Sequence, residues 1–362
     1  MQTLERAHDA PEADRASIAG YGEIRTYLDA RRDEAPKELV DWAPAFRRNE
    51  LNILMISGGG AGGAFSVGVL SAWAAKGDRP QFDVVTGVST GALIAPYAFL
   101  GPAYDERMVR LYTSGIAENL VSSKRVAGLF GSSLLSPEPL RRMVRHFVTP
   151  DLLRQVAAEH RKGRRLLILT TNLDTQRAVV WNMGAIADSG RPDALRLFRD
   201  ILVASASIPG VFPAVMIEAE ANGRHFEEMH SDGGSSSQVL TLPQALMTSA
   251  NRLVASRRQK VNFYVIVNNA LMPEFAVTSD RTLSVIVRSY SIFVKAQTQS
   301  ALTALYNYAQ RTGASFHLAS IDAQVPYSMT DPFNTGYMRA VYNLGYTELT
   351  AGTLWRDCPV FR

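Results

Sequence analysis

Two consecutive segments of this chain set the strongest limit on its fold. LNILMIS, residues 51–57, passes through Gly58, Gly59, Gly60, Ala61, Gly62 and Gly63 into the apolar stretch GAFSVGVLSAWAAKG. FDVVTG, residues 82–87, passes through Gly87, Val88, Ser89, Thr90 and Gly91 into STGALIAPYAFL. An apolar run without polar alternation is a strand covered on both faces, the usual state of strands in parallel sheets. Parallel neighbours need a crossover, and the apolar stretches at helical spacing supply one. Gly77 is placed to close the first helix as a C-cap, and Pro96 takes one internal N–H from the second.

The remaining chain continues the alternation. RRLLILTTNLD and AVVWNM read as two strands around Asp174 to Arg177, and ALRLFRDILVASASIPG as a helix ending before Pro209. VMIEAEANGRHFEEMHSDGG reads as a hairpin turning at Asn222 and Gly223, a pair suited to a type I′ turn, so that Asp232 ends the returning strand. KVNFYVIVNN and ASFHLASI are further strands, with a long helix over 283–310 between them and a last helix in TGYMRAVYNLGYTEL. Strands alternating with helices predict one α/β sandwich around a mainly parallel sheet. Residues 1–45 are expected to be an N-terminal extension, partly mobile, polar to about residue 20 and then in helical turns broken by Pro36 and Pro44; the main domain takes residues 46–362.

At 362 residues and 46% hydrophobic the chain can bury a substantial core. Its net charge of +4 leans basic without a long basic tract, which fits contact with an anionic membrane surface and not dedicated nucleic-acid binding. A single cysteine, Cys358, excludes an intrachain disulfide and a cysteine-built zinc site. The N-terminus has no signal-like apolar segment, and no run of about 18 apolar residues occurs. As written, the chain is expected to be soluble and cytoplasmic with peripheral membrane contact, or secreted or periplasmic if a signal peptide has been removed.

Three features carry chemistry. The glycine cluster fits G-x-G-x-x-G, but the acidic residue that a dinucleotide site wants at the end of the second strand is replaced by Gly87-Val88-Ser89-Thr90-Gly91. The same glycine geometry serves the oxyanion of an acyl-transfer intermediate. GxSxG is the second feature: a strand-to-helix elbow strains the backbone at the serine and brings segments so close that small residues must flank it. Read blandly, Ser89 is a helix N-cap. A nucleophile also needs a base. Among the histidines only His317 follows Asp232, and it sits mid-strand; His225 and His230 lie in the hairpin, and His8, His146 and His160 in polar or helical contexts. The other candidate is Asp232 in HSDGG, where Gly233 and Gly234 allow a turn toward the serine and burial would raise the proton affinity of the carboxylate. As a turn residue Asp232 would do nothing chemical.

With SGGGAGGAF, GVSTG, ASASIPGVFP (residues 204–213) and HSDGG in that order over about residues 50–240, the chain resembles the patatin-like phospholipase family. The resemblance implies a three-layer α/β/α fold and hydrolysis of phospholipid or related lipid esters at a membrane surface through an acyl-enzyme, of phospholipase A or lysophospholipase type, with no metal or organic cofactor. It assigns Ser89 as nucleophile, Asp232 as base without histidine, Gly58, Gly59 and Gly60 as the oxyanion loop, and Gly63, Gly87, Gly91, Gly233 and Gly234 as motif glycines. Gly62 stands where many members carry Arg or Lys. A triad esterase using His317 and a silent lipid-binding protein are the alternatives. Residues 124–140, KRVAGLFGSSLLSPEPL, combine basic and apolar side chains and are expected either to lead into a helix near Pro139 or to cover the cleft and open at a bilayer.

Overall fold

The apolar runs become the centre of a nine-stranded sheet. The structure is a computed structural model that describes residues 5–30, 49–118, 136–242, 247, 260–273, 275, 277–322, 325 and 333–361. In chain order the strands are β1 (Arg25–Tyr27), β2 (Glu50–Ile56), β3 (Val84–Val88), β4 (Arg165–Asn172), β5 (Arg177–Asn182), β6 (Val215–Ala221), β7 (Arg224–Asp232), β8 (Lys260–Val267) and β9 (Ser315–Ser320). They lie in the order β1-β5-β4-β3-β2-β8-β9, with β7 also on β4 and β6 on β7. From β4 to β9 the neighbours along this path are parallel.

Alternate side chains of the central strands enter two cores. Leu54, Ile56, Val85, Leu166 and Ile168 face one, and Leu51, Ile53, Val84, Leu167 and Phe263 face the other. The first core is closed by α2 (Gly63–Lys76), α3 (Thr90–Leu100), α4 (Asp105–Thr113), α5 (Glu138–Phe147), α6 (Pro150–Arg161), α7 (Met183–Asp188), α8 (Ala194–Ser205) and α10 (Thr335–Ala351). The second is closed by α9 (Thr282–Thr312), through Leu302, Leu305 and Tyr308, with Val239 and Leu240. The sandwich is therefore α/β/α around a mostly parallel sheet, as the sequence predicts. Gly77 caps α2 in the left-handed conformation, and Asn222 and Gly223 turn the β6–β7 hairpin with φ of 53° and 77°.

The N-terminal segment departs from expectation. After a short helix α1 (Ala10–Asp14), residues expected in helical turns form β1, which pairs antiparallel with β5 and is preceded by the buried Ile24. Ser17 bridges Glu220 of β6. The reason is the open edge of β5, whose unpaired groups Arg25–Tyr27 satisfy. Residues 31–48, with Pro36 and Pro44, and residues 124–135 of the segment expected near the cleft lie outside the described residues; Glu138 begins α5, with Pro139 in its first turn.

One strand decides where the site forms. β5 takes one edge of β4 from Leu167 to Asn172. The other edge is shared. β3 pairs in parallel as far as Val88 opposite Leu169, and antiparallel β7 occupies the next position with Asp232 opposite Thr170. β3 and β7 thus run toward each other along β4 and end at adjacent rungs.

Candidate active site

Ser89 follows β3 directly and adopts φ 54°, ψ −123°, a region costly for any residue with a Cβ. The flanking glycines explain how the chain fits. A Cβ on Gly87 would stand 2.5 Å from the carbonyl oxygen of Gly91, and one on Gly91 would collide with the carbonyls of Ile56 and Ser57. Gly63 is equally confined, against Thr90. The elbow puts Ser89 at the N-cap of α3, at the positive end of that helix.

The Ser89 hydroxyl donates to Asp232 Oδ2 at 2.6 Å, and the Gly234 N–H donates to Oδ1 at 2.6 Å. Gly233 is a glycine because the turn passes close to β4: its Cβ would lie 2.5 Å from the Leu169 carbonyl. Asp232 is only 2% exposed. Burial pushes its carboxyl up to about 7, against the opposite pull of the Ser89 and Gly234 hydrogen bonds.

The glycine loop does not offer three equivalent donors. The N–H of Gly58 is engaged by the Gln238 carbonyl at 2.9 Å, which corrects the expectation that it faces an oxyanion. Gly59 (φ 145°) and Gly60 (φ 54°) have N–H groups without an acceptor among the described residues, and both line the cavity beside Ser89. Asn268 at the end of β8 braces the loop: its Nδ2 donates to the Ser57 carbonyl at 2.9 Å and its N–H to Ser57 Oγ at 2.8 Å. A Cβ on Gly62 would collide with the Asn268 carbonyl, so this loop has no room for a side chain there.

Two cavities meet at Gly60, Ser89 and Ile208. The narrow one, about 60 Å³, is walled by apolar side chains including Leu93, Leu111, Leu140, Met143 and Phe212. The wider one, about 270 Å³, holds Asp232 and carries Asn269, Tyr290, Lys295 and Thr298. A hydroxyl paired with a buried carboxylate, beside unpaired backbone donors and between apolar and polar arms, can transfer an acyl group.

A model of the patatin-like phospholipase family matches residues 54–243, more than half of the chain. The chain belongs to the patatin-like phospholipase family. It is a lipid acyl hydrolase. Among curated proteins none matches this sequence. Among solved structures the chain is similar to VipD from Legionella pneumophila, at 12% identity and a TM-score of 0.42 over 94% of this chain and 69% of that one. It is also similar to full-length ExoU with SpcU from the type III secretion system of Pseudomonas aeruginosa, at 17% identity and a TM-score of 0.31 over 73% of this chain, and it spans about half of that chain (52%).

In this patatin-like phospholipase no histidine reaches Ser89 among the described residues. His317 stacks on Tyr264 at 4.7 Å, on β9 at the far side of β8. His230, within β7, is buried and bonded to Glu228 and Thr170. Among the described residues no group of three or more His, Cys, Asp or Glu side chains could hold a metal ion, and no helix is long and apolar enough to cross a membrane.

Sequence reasoning passed over the residues that hold the two elbows together. Ser205 Oγ accepts the N–H of Ser89 at 3.1 Å and donates to the Leu169 carbonyl at 2.6 Å. The Ser207 carbonyl accepts the N–H of Asp232 at 3.0 Å. Both serines belong to ASASIPGVFP, whose presence was visible but whose task was not. Gln238 and Asn268 had no local pattern to mark them.

Proposed function

We propose that this patatin-like phospholipase is a serine acyl-ester hydrolase of phospholipase A or lysophospholipase type that works through a Ser89–Asp232 dyad. The observation that carries the reading is the 2.6 Å hydrogen bond from Ser89 to a buried carboxylate whose proton affinity is raised to the neutral range. Ser89 Oγ attacks the ester carbonyl while its proton passes to Asp232. The N–H groups of Gly59 and Gly60 receive the oxyanion, with Gly58 shaping the loop. As the tetrahedral intermediate collapses, the alcohol leaves with the proton from Asp232, and the acyl group stays on Ser89. Water then attacks with Asp232 again as base, and the acid departs. The narrow apolar arm suits the acyl chain and the wider, partly polar arm the alcohol that carries the head group.

A fluorophosphonate probe and a panel of acyl esters test this. Wild-type protein is expected to label at Ser89. Ser89→Ala and Asp232→Asn should each lose turnover by several powers of ten while remaining folded, because the pair acts as a unit. His317→Ala should keep most of the rate. A folded His317→Ala variant as inactive as Ser89→Ala would overturn the dyad in favour of a triad.

A further inference from the structure

We propose that the N-terminal half of α9 is the face on which this protein lies against an anionic phospholipid bilayer. The inference rests on the reading of the site as a lipid hydrolase and assigns the surface that delivers lipid to it.

The helix changes character along its length. Its C-terminal half buries Leu302, Leu305 and Tyr308 in the second core. Its N-terminal half instead exposes Val285, Ile292 and Phe293, at 46%, 60% and 55%. Positions 285, 289, 292, 293 and 296 share one face of a helix, and the intervening Ser289 and Ala296 are small and exposed. That face carries no charge. The loop leading into the helix exposes Phe275 and Val277 almost fully. Single exposed apolar residues are ordinary, but several on one charge-free face mark a contact surface.

Two observations select the occupant. Within α9 the sequence has no aspartate or glutamate, while Arg288 and Lys295 fall in this half of the helix; ahead of it in the sequence Arg281 adjoins Asp280, and Glu274 precedes Phe275. A helix whose apolar stripe is flanked by cations and that carries no acid complements an anionic lipid surface. The second is continuity with the cleft: Tyr290, Ser291, Val294 and Lys295, interleaved with the exposed stripe, line the cavity that holds Ser89 and Asp232. The helix is therefore the lip of the cleft. A bilayer seated on its outer face meets the cleft opening, and a lipid leaves the membrane past Tyr290 and Val294 without crossing open water.

Co-sedimentation with vesicles, read beside hydrolysis of a monomeric short-chain ester, tests the assignment. The vesicles are phosphatidylcholine alone, or phosphatidylcholine with phosphatidylglycerol. Ile292→Ser/Phe293→Ser should weaken vesicle binding by about tenfold or more on both compositions, since two large apolar side chains no longer enter the interface. Arg281→Gln/Arg288→Gln should weaken binding only to the anionic vesicles, by roughly fivefold per charge. Both variants should hydrolyse the monomeric ester within about twofold of wild type, because none of these four side chains lines the cleft. Wild-type protein that ignores anionic vesicles, or a serine variant that binds them undiminished, overturns the proposal. So does a serine variant whose sole change is loss of a dimer by light scattering, which would assign the face to a second copy of the chain. Absence of wild-type activity on the monomeric ester counts against the dyad and leaves the vesicle result standing.

Discussion

At the scale of single residues, Asp232 has two consequences that pull in opposite directions. Its carboxyl, pushed up to about 7 by burial, holds its proton in the folded protein long after an unfolded aspartate, near 3.8, has released it. In the proposed dyad the unprotonated form is the base, so ester hydrolysis should fall about tenfold per pH unit below roughly pH 7 and level off above it. Stability runs the other way. The contribution of the raised group is complete below pH 3.8 and is lost as pH climbs to about 7. Asp232→Asn, which has no proton to lose, should therefore be inactive yet more stable than wild type near pH 8, by up to about 4 kcal/mol, with the gap closing near pH 4. Thermal unfolding of both proteins across that range checks it; an equal melting temperature at pH 8 would mean that the carboxylate is not strained by burial.

At the scale of elements, the edge strand β1 reaches under the site. Arg25 donates to Glu228, with its Nη2 3.0 Å from Oε1, and to the Ala16 carbonyl. Glu228 holds His230 Nε2 at 3.0 Å; His230 Nδ1 meets Thr170 Oγ1 at 3.0 Å, and Trp181 donates to that same hydroxyl at 2.8 Å. Burial works to raise the carboxyl of Glu228, yet Arg25 and the His230 hydrogen bond hold it down at about 2. The chain of contacts ends two residues before Asp232. Arg25→Ala leaves a buried carboxylate with no counter-ion and should cost roughly 3–5 kcal/mol in urea unfolding. Arg25→Met/Glu228→Gln should recover most of that loss; an equally unstable double variant would show that packing of β1, not charge, is what matters. None of this was legible beforehand. β1 is three residues long, and its partners stand some 150 positions away, so no local period announces it. The GxSxG and HSDGG elbows were legible because the contacts that demand glycine belong to short turns packed hard against neighbouring backbone. The Gly58 role was misread because the Gln238 carbonyl that takes its N–H comes from a stretch with no signature.

At the scale of the whole molecule, the family match ends at residue 243, but the architecture does not. β8 and β9 extend the sheet beyond β2, and α10 lies so close on α2 that a Cβ at Gly345 would stand 2.7 Å from the Phe65 carbonyl. The C-terminal third thus braces the helix that leaves the glycine loop, while α9 forms one wall of the cleft. β4 gives the assembly a further property. Because β3 and β7 are pinned end to end along one edge of β4, Ser89 and Asp232 ride on a common rail, and sheet breathing or loop opening is expected to shift them together. Thermal inactivation on a monomeric ester should accordingly coincide with the cooperative melting of the sheet, and the slowest amide hydrogens to exchange should include those of Leu169 and Thr170. Activity that fades well below the melting transition would mean that the rail yields locally. A catalyst mounted in this way is expected to fail abruptly, all at once with its scaffold, instead of wearing out from the active site inward.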